Sequence, residues 1–105
     1  MIDLTAETFE QTTKGAIPML VDFSAEWCMP CKIYTPVLEE LSTEMNGRIA
    51  FGKLDVSNFD EIASQYSITG IPTVVLFKNG NEIGRLEGVQ QRGVLKAMLD
   101  ASITS

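Results

Sequence analysis

One stretch, Met19-Leu20-Val21-Asp22-Phe23-Ser24-Ala25, constrains the fold of this chain more than any other. It is apolar on both alternating sets of positions except at Asp22 and Ser24. A strand with one wet face alternates apolar with polar residues. A strand apolar on both sides belongs inside a sheet covered on both faces. Such cover is usually helical, and the rest of the chain supplies helices in alternation with further strands.

A short strand is expected near Ile2–Leu4, with Thr5 capping a helix over about Ala6–Thr12. Gly15 and Pro18 punctuate the turn into the Met19–Ala25 strand. From Cys28 to about Met45 the pattern turns helical, with Tyr34, Val37, Leu38, Leu41 and Met45 on one stripe. Pro36 removes a backbone hydrogen bond there and is expected to kink the helix. Asn46-Gly47 ends it, and Ile49–Val56 reads as the next strand.

Ser57 is placed to cap a short helix carrying Phe59, Ile62, Ala63 and Tyr66 at i, i+3, i+4 and i+7, with Asp60 completing a capping box. Thr73–Phe77 is rich in β-formers. The Asn79-Gly80 pair after it signals a hairpin, returning an antiparallel strand near Glu82–Glu87. A terminal helix over about Gln91–Ser102 carries Val94, Leu95, Met98 and Leu99 on one face. The order β-α-β-α-β-α-β-β-α predicts an α/β fold with a mixed sheet between helices.

The length of 105 residues fits a single domain over the whole chain, residues 1–105. Apolar runs such as Ile71–Phe77 are far too short to span a bilayer, and the first residues show no signal-peptide pattern. No membrane association and a cytoplasmic location are therefore expected. The net charge of −6, with no cluster of Lys or Arg, disfavours nucleic acid as a partner. Histidine is absent, which removes Cys/His and Ser/His catalytic pairs. Only two cysteines remain, Cys28 and Cys31, too few to close a zinc site, so no metal is expected.

Those cysteines stand in Trp27-Cys28-Met29-Pro30-Cys31, between the end of the central strand and the start of a helix. Residues three apart on a helix have Cβ atoms about 5–6 Å apart, close to disulfide range. So small a ring removes little chain entropy and makes a poor staple. A bond that forms easily and stabilises little suits opening and closing. At the first helical turn, unpaired N–H groups and the helix dipole favour a negative sulfur on Cys28. They pull its pKa down from the free-thiol value of about 8.5. Cys31, one turn deeper, is expected to be more buried and less ionised.

Asp22 interrupts a strand expected to be buried, so its pKa should rise. A carboxyl held near neutrality can take a proton from Cys31; a buried salt bridge with Lys53 is the structural alternative. Pro72, in Ile71-Pro72-Thr73, is either the first residue of a strand or a cis-proline.

Taken together, Val21–Lys32 with its Cys-Met-Pro-Cys, then Pro36, Gly70-Ile71-Pro72-Thr73, Phe77-Lys78-Asn79-Gly80 and Gly88 resemble the thioredoxins over nearly the whole chain. The resemblance implies a thioredoxin fold, a central mixed five-stranded sheet flanked by four helices. It implies a protein-disulfide reductase in which Cys28 attacks, Cys31 resolves, Asp22 serves as buried acid and base, and Lys53 tunes it. Pro72 matches the cis-proline facing the disulfide. Trp27, Met29, Pro30, Gly70, Ile71 and Gly88 fall on the client-docking rim, with the Ile71 backbone pairing to an extended client segment.

The implied partners are disulfide-containing client proteins and a thioredoxin reductase. The chain is expected to act as a monomer and to hold no cofactor of its own. Two residues depart from the family pattern: Met29 stands where glycine is usual, and Glu87 stands where an apolar residue is common. A disulfide oxidase or isomerase on the same fold, and a binding subunit using the rim without chemistry, are the alternative readings.

Overall fold

The computed structural model describes residues 1–104. The strands are β1 (Ile2–Asp3), β2 (Met19–Ser24), β3 (Ala50–Asp55), β4 (Thr73–Lys78) and β5 (Asn81–Glu87). The helices are α1 (Ala6–Thr13), α2 (Met29–Glu44), α3 (Asp60–Gln65) and α4 (Arg92–Thr104). The strands form one mixed five-stranded sheet, as the sequence pattern and the resemblance imply, and the structure gives its order as β1-β3-β2-β4-β5. β1, β3 and β2 run parallel, while β4 is antiparallel to both β2 and β5.

β2 lies in the centre, with all six residues buried. Its alternation divides the core. Met19, Val21 and Phe23 pack with Phe9 of α1, Ala63 of α3, Val75 and Phe77. Leu20 packs on the opposite side with Tyr34, Leu38 and Leu41 of α2 and with Leu95 and Leu99 of α4. Arg92 ties α4 to α2 through ion pairs with Glu40 and Glu44.

Thr5 caps α1 as expected, and the capping box closes on Thr8, whose hydroxyl accepts the Thr5 N–H at 2.8 Å. The Asn79-Gly80 turn has positive φ at both residues, 53° and 82°, the pattern whose twist suits a two-residue hairpin. α2 runs as one helix through Pro36. The absent N–H there interrupts the ladder without dividing the element.

One local expectation is overturned. Ser57 does not cap α3; the capping position is Phe59, with no side-chain hydrogen bond, and Asp60 is already the first helical residue. Ser57 is engaged elsewhere. Its N–H donates to Asp55 Oδ1 at 2.8 Å, and its hydroxyl accepts from the Trp27 indole. Among the described residues no helix is long and apolar enough to cross a membrane.

Candidate active site

The strand-to-helix turn after β2 delivers the cysteine pair. Cys28 is the capping residue of α2, with extended backbone at φ −91° and ψ 107°, and Pro30 sits in the first turn, where its missing N–H is harmless. The Cys28 sulfur accepts the backbone N–H of Cys31 at 3.3 Å, so it does the work that a Ser or Asp oxygen performs at other helix starts. Cys28 and Cys31 are joined in a disulfide, their Cα atoms 5.3 Å apart. Both are buried, Cys31 (1%) more than Cys28 (5%), in the order expected from their depth in the helix. They pack with Ala25, Val56 and Ile71.

The Ile71–Pro72 bond is cis, which decides between the two readings of Pro72. Pro72 heads β4, with its carbonyl accepting the Gly88 N–H at 2.7 Å, and the Thr73 hydroxyl donates to Gly70 O at 2.7 Å. Gly70, Ile71, Pro72 and Gly88 are thereby held in one local framework. Gly88 has φ +77°, a conformation that glycine adopts without strain.

Large apolar side chains stand exposed on this side of the molecule. Trp27 is 71% and Met29 63% exposed, and Ile33, one turn after Met29, is 66% exposed. The Trp27 indole N–H donates to Ser57 Oγ at 3.0 Å, which fixes the ring beside the cysteines despite its exposure. A shallow hollow of about 190 Å³ lies beside it, lined by Trp27, Val56, Ala63, Ile68, Gly70 and Ile71.

On β2, Asp22 is almost sealed from solvent, and neither carboxylate oxygen has a hydrogen-bond partner. Burial pushes its pKa up from the ordinary 3.8 to about 7, against a smaller downward pull from Lys53. Asp22 and Lys53 are register partners on the parallel β2–β3 pair. Lys53 therefore acts on the carboxylate through its field rather than through a hydrogen bond. Sequence reasoning missed the Ser57 hydroxyl that holds Trp27 and the buried Tyr34 phenol on α2. Ser57 gives no local signal, because its bond to Trp27 spans 30 residues. Tyr34 does give one: it follows Cys31 by three positions and so shares its helix face. Among the described residues no group of three His, Cys, Asp or Glu side chains could hold a metal ion.

A disulfide closing the first turn of a helix beside a cis-proline, with a buried acid on the strand that leads into it, defines a thiol–disulfide oxidoreductase. Comparison with known proteins gives the particular family. The thioredoxin family model matches residues 1–101. The thioredoxin of Rickettsia felis is 38% identical over 96% of this chain and 97% of its own length. Thioredoxin C-2 of Corynebacterium nephridii is 39% identical over 98% and 96%. The thioredoxin of Pseudomonas aeruginosa is 38% identical over the same shares. The chain belongs to the thioredoxin family, and it is a dithiol–disulfide reductase whose redox pair is Cys28 and Cys31.

Proposed function

We propose that Cys28 is the attacking sulfur and Cys31 the resolving sulfur in the reduction of disulfides in client proteins. The observation that carries this assignment is the Cys28 sulfur at the capping position, accepting the Cys31 N–H. In the reduced pair the same N–H and the positive end of the α2 dipole favour thiolate at Cys28. The Cys28 thiolate attacks one sulfur of a client disulfide. A Cys28–client disulfide forms, the client bond breaks, and the departing client sulfur leaves as thiolate and takes a proton from solvent.

Asp22 then accepts the proton of the Cys31 thiol. A carboxyl that titrates near 7 is matched to that task at neutral pH. The Cys31 thiolate attacks Cys28, the Cys28–Cys31 disulfide forms, and the second client sulfur is released as thiolate. Two electrons pass to the client. Lys53 tunes Asp22 by stabilising its ionised form. An external two-electron donor must reopen the disulfide, and a thioredoxin reductase fills that place.

Trp27, Met29, Pro30, Gly70, Ile71 and Gly88 form the docking rim. Pro72 holds the Ile71 backbone where an extended client segment pairs with it, and the hollow beside Trp27 accepts an apolar client side chain. Residues 1–105 act as one domain, as a monomer in the cytoplasm, without a cofactor of their own. The test is reduction of insulin by dithiothreitol with catalytic amounts of the protein. Rapid turnover that disappears in Cys28→Ser is the expected result, and no acceleration by the unsubstituted protein would refute the assignment.

A further inference from the structure

The five methionines of the chain are placed very differently. Met19 and Met45 are fully buried. The Met19 methyl packs over Gly52, and the Met45 sulfur accepts an Arg48 guanidinium N–H at 3.6 Å. Met98 is partly buried against the core layer of α2 and α4, with its sulfur set beside Gly84. Met1 is 36% exposed and Met29 63%. Met29 therefore offers solvent the most open thioether. It is also the first residue of α2, between Cys28 and Pro30. The two cysteine sulfurs beside it are buried and joined to each other. An oxidant that reaches this face while the disulfide is closed meets the Met29 sulfur first.

We propose that Met29 is an oxidation-sensitive element of the docking rim: a hydroperoxide converts its thioether to the sulfoxide, and the sulfoxide form reduces client disulfides more slowly because it docks them less well. The proposal rests on the placement of Met29 on that rim. In the step, the Met29 sulfur attacks one peroxide oxygen, an S–O bond forms and the O–O bond breaks. The proton of the attacked oxygen passes to the departing oxygen, which leaves as an alcohol, or as water when the oxidant is hydrogen peroxide. The sulfur loses two electrons and the peroxide gains them. A methionine sulfoxide reductase reverses the step with a dithiol, giving thioether, water and a disulfide.

Location gives the change its effect. Met29 shares a face of α2 with Ile33, four residues on, and both stand exposed. Trp27, two residues before Met29, is exposed as well, with its ring held by Ser57. A client that covers this surface buries the Met29 side chain among apolar neighbours. Burying a thioether there is favourable. A sulfoxide carries a polar acceptor oxygen, and the same burial strips its water without supplying a donor. On most surfaces an exposed methionine is oxidised without consequence, because nothing lands on it. Here the thioether adjoins the sulfur that a client must reach. A glycine at this position would have no side chain to oxidise, so the sensitivity belongs to the Cys-Met-Pro-Cys of this chain.

The test treats the full-length protein, disulfide closed, with hydrogen peroxide, which catalase then removes. Peptide mass spectrometry is expected to find the added oxygen at Met29 ahead of Met1, and well ahead of Met98, Met19 and Met45. With insulin as client and dithiothreitol as donor, kcat/KM is expected to fall about tenfold, chiefly through KM. Methionine sulfoxide reductases should restore it. Met29→Leu keeps the bulk and removes the sulfur, so peroxide should leave its turnover, whatever its starting level, unaltered. An equal loss in Met29→Leu traces the effect to another residue and overturns the proposal. So does oxygen entering Met98 as fast as Met29, or a Met29 sulfoxide that turns over insulin as before. Met29→Gln, polar without oxidation, separates the proposal from the reading beneath it. A raised insulin KM in Met29→Gln, with no oxygen gained at Met29 in the unsubstituted protein, upholds the rim and refutes the oxidation. An unchanged KM in Met29→Gln refutes the placement of Met29 on the rim, and the proposal with it.

Discussion

The two faces of β2 are built from the same strand to different ends. Toward α1 and α3 lie Met19, Val21 and Phe23, joined by Phe9, Tyr66 and Phe77 in edge-to-face ring contacts with centroids 5.1 to 6.3 Å apart. Toward α2 and α4 the strand presents Leu20, Asp22 and Ser24, and two of these three bury oxygens without partners. The first face is an apolar core that holds the sheet together. The second gives up stability to bury an ionisable group, the one that the proposed function assigns to the deprotonation of Cys31. A central strand can do both because its side chains alternate, so one register supplies a rigid support and a reactive floor.

Substitutions on each side should separate these roles. Phe77→Ala removes a fully buried ring from the aromatic side and is expected to cost about 3–5 kcal/mol of stability by chemical denaturation. The redox equilibrium of the Cys28–Cys31 pair against a reference dithiol should stay unchanged. A shift in that equilibrium comparable to the loss of stability would show that the faces are not separable.

On the polar side, Asp22→Asn is expected to slow the resolving step about a hundredfold at neutral pH, measured by single-turnover release from a mixed disulfide. Its effect on folding has the opposite character. The Asp22 pKa is higher in the folded chain, about 7 against 3.8, so between these values the folded state binds more protons than the unfolded state. The contribution of Asp22 to stability is therefore full below about pH 4, declines as pH rises, and is gone above about 7. Denaturation midpoints should fall across that window in the unsubstituted protein and flatten in Asp22→Asn. An identical slope in both would place the charge elsewhere.

The smallest expected effect returns to the apolar side. Thr5→Ala removes the hydroxyl that caps α1 and should cost about 1 kcal/mol, read from denaturation, with insulin turnover unaltered.

The apolar side was largely legible in the sequence, because it obeys local rules: two-residue alternation in β2, a capping threonine, and an Asn-Gly turn. So was the chemistry of the other side, since Cys28, Cys31 and Asp22 each stand out by type and spacing. What the sequence hid depends on contacts between distant segments. Ser57 looked like a helix cap because Asp60 follows at the right interval, but its hydroxyl meets Trp27 across 30 residues, and α3 begins without it. Tyr34 was absorbed into an apolar stripe, since periodicity counts the ring and says nothing of where its hydroxyl ends. The local residues left the Ile71–Pro72 isomer open, since an X-Pro bond allows both, and only the family resemblance pointed to the cis form that the structure shows.

The division of labour between the two sulfurs is tested most directly by trapping. Cys31→Ser and Cys28→Ser proteins, each reduced and mixed with a disulfide-containing client, are resolved without reductant and the linked peptides identified by mass spectrometry. The expected result is a stable client conjugate through Cys28 in the Cys31→Ser protein and almost none in the Cys28→Ser protein. Conjugates captured chiefly through Cys31, or through neither sulfur, would contradict the account.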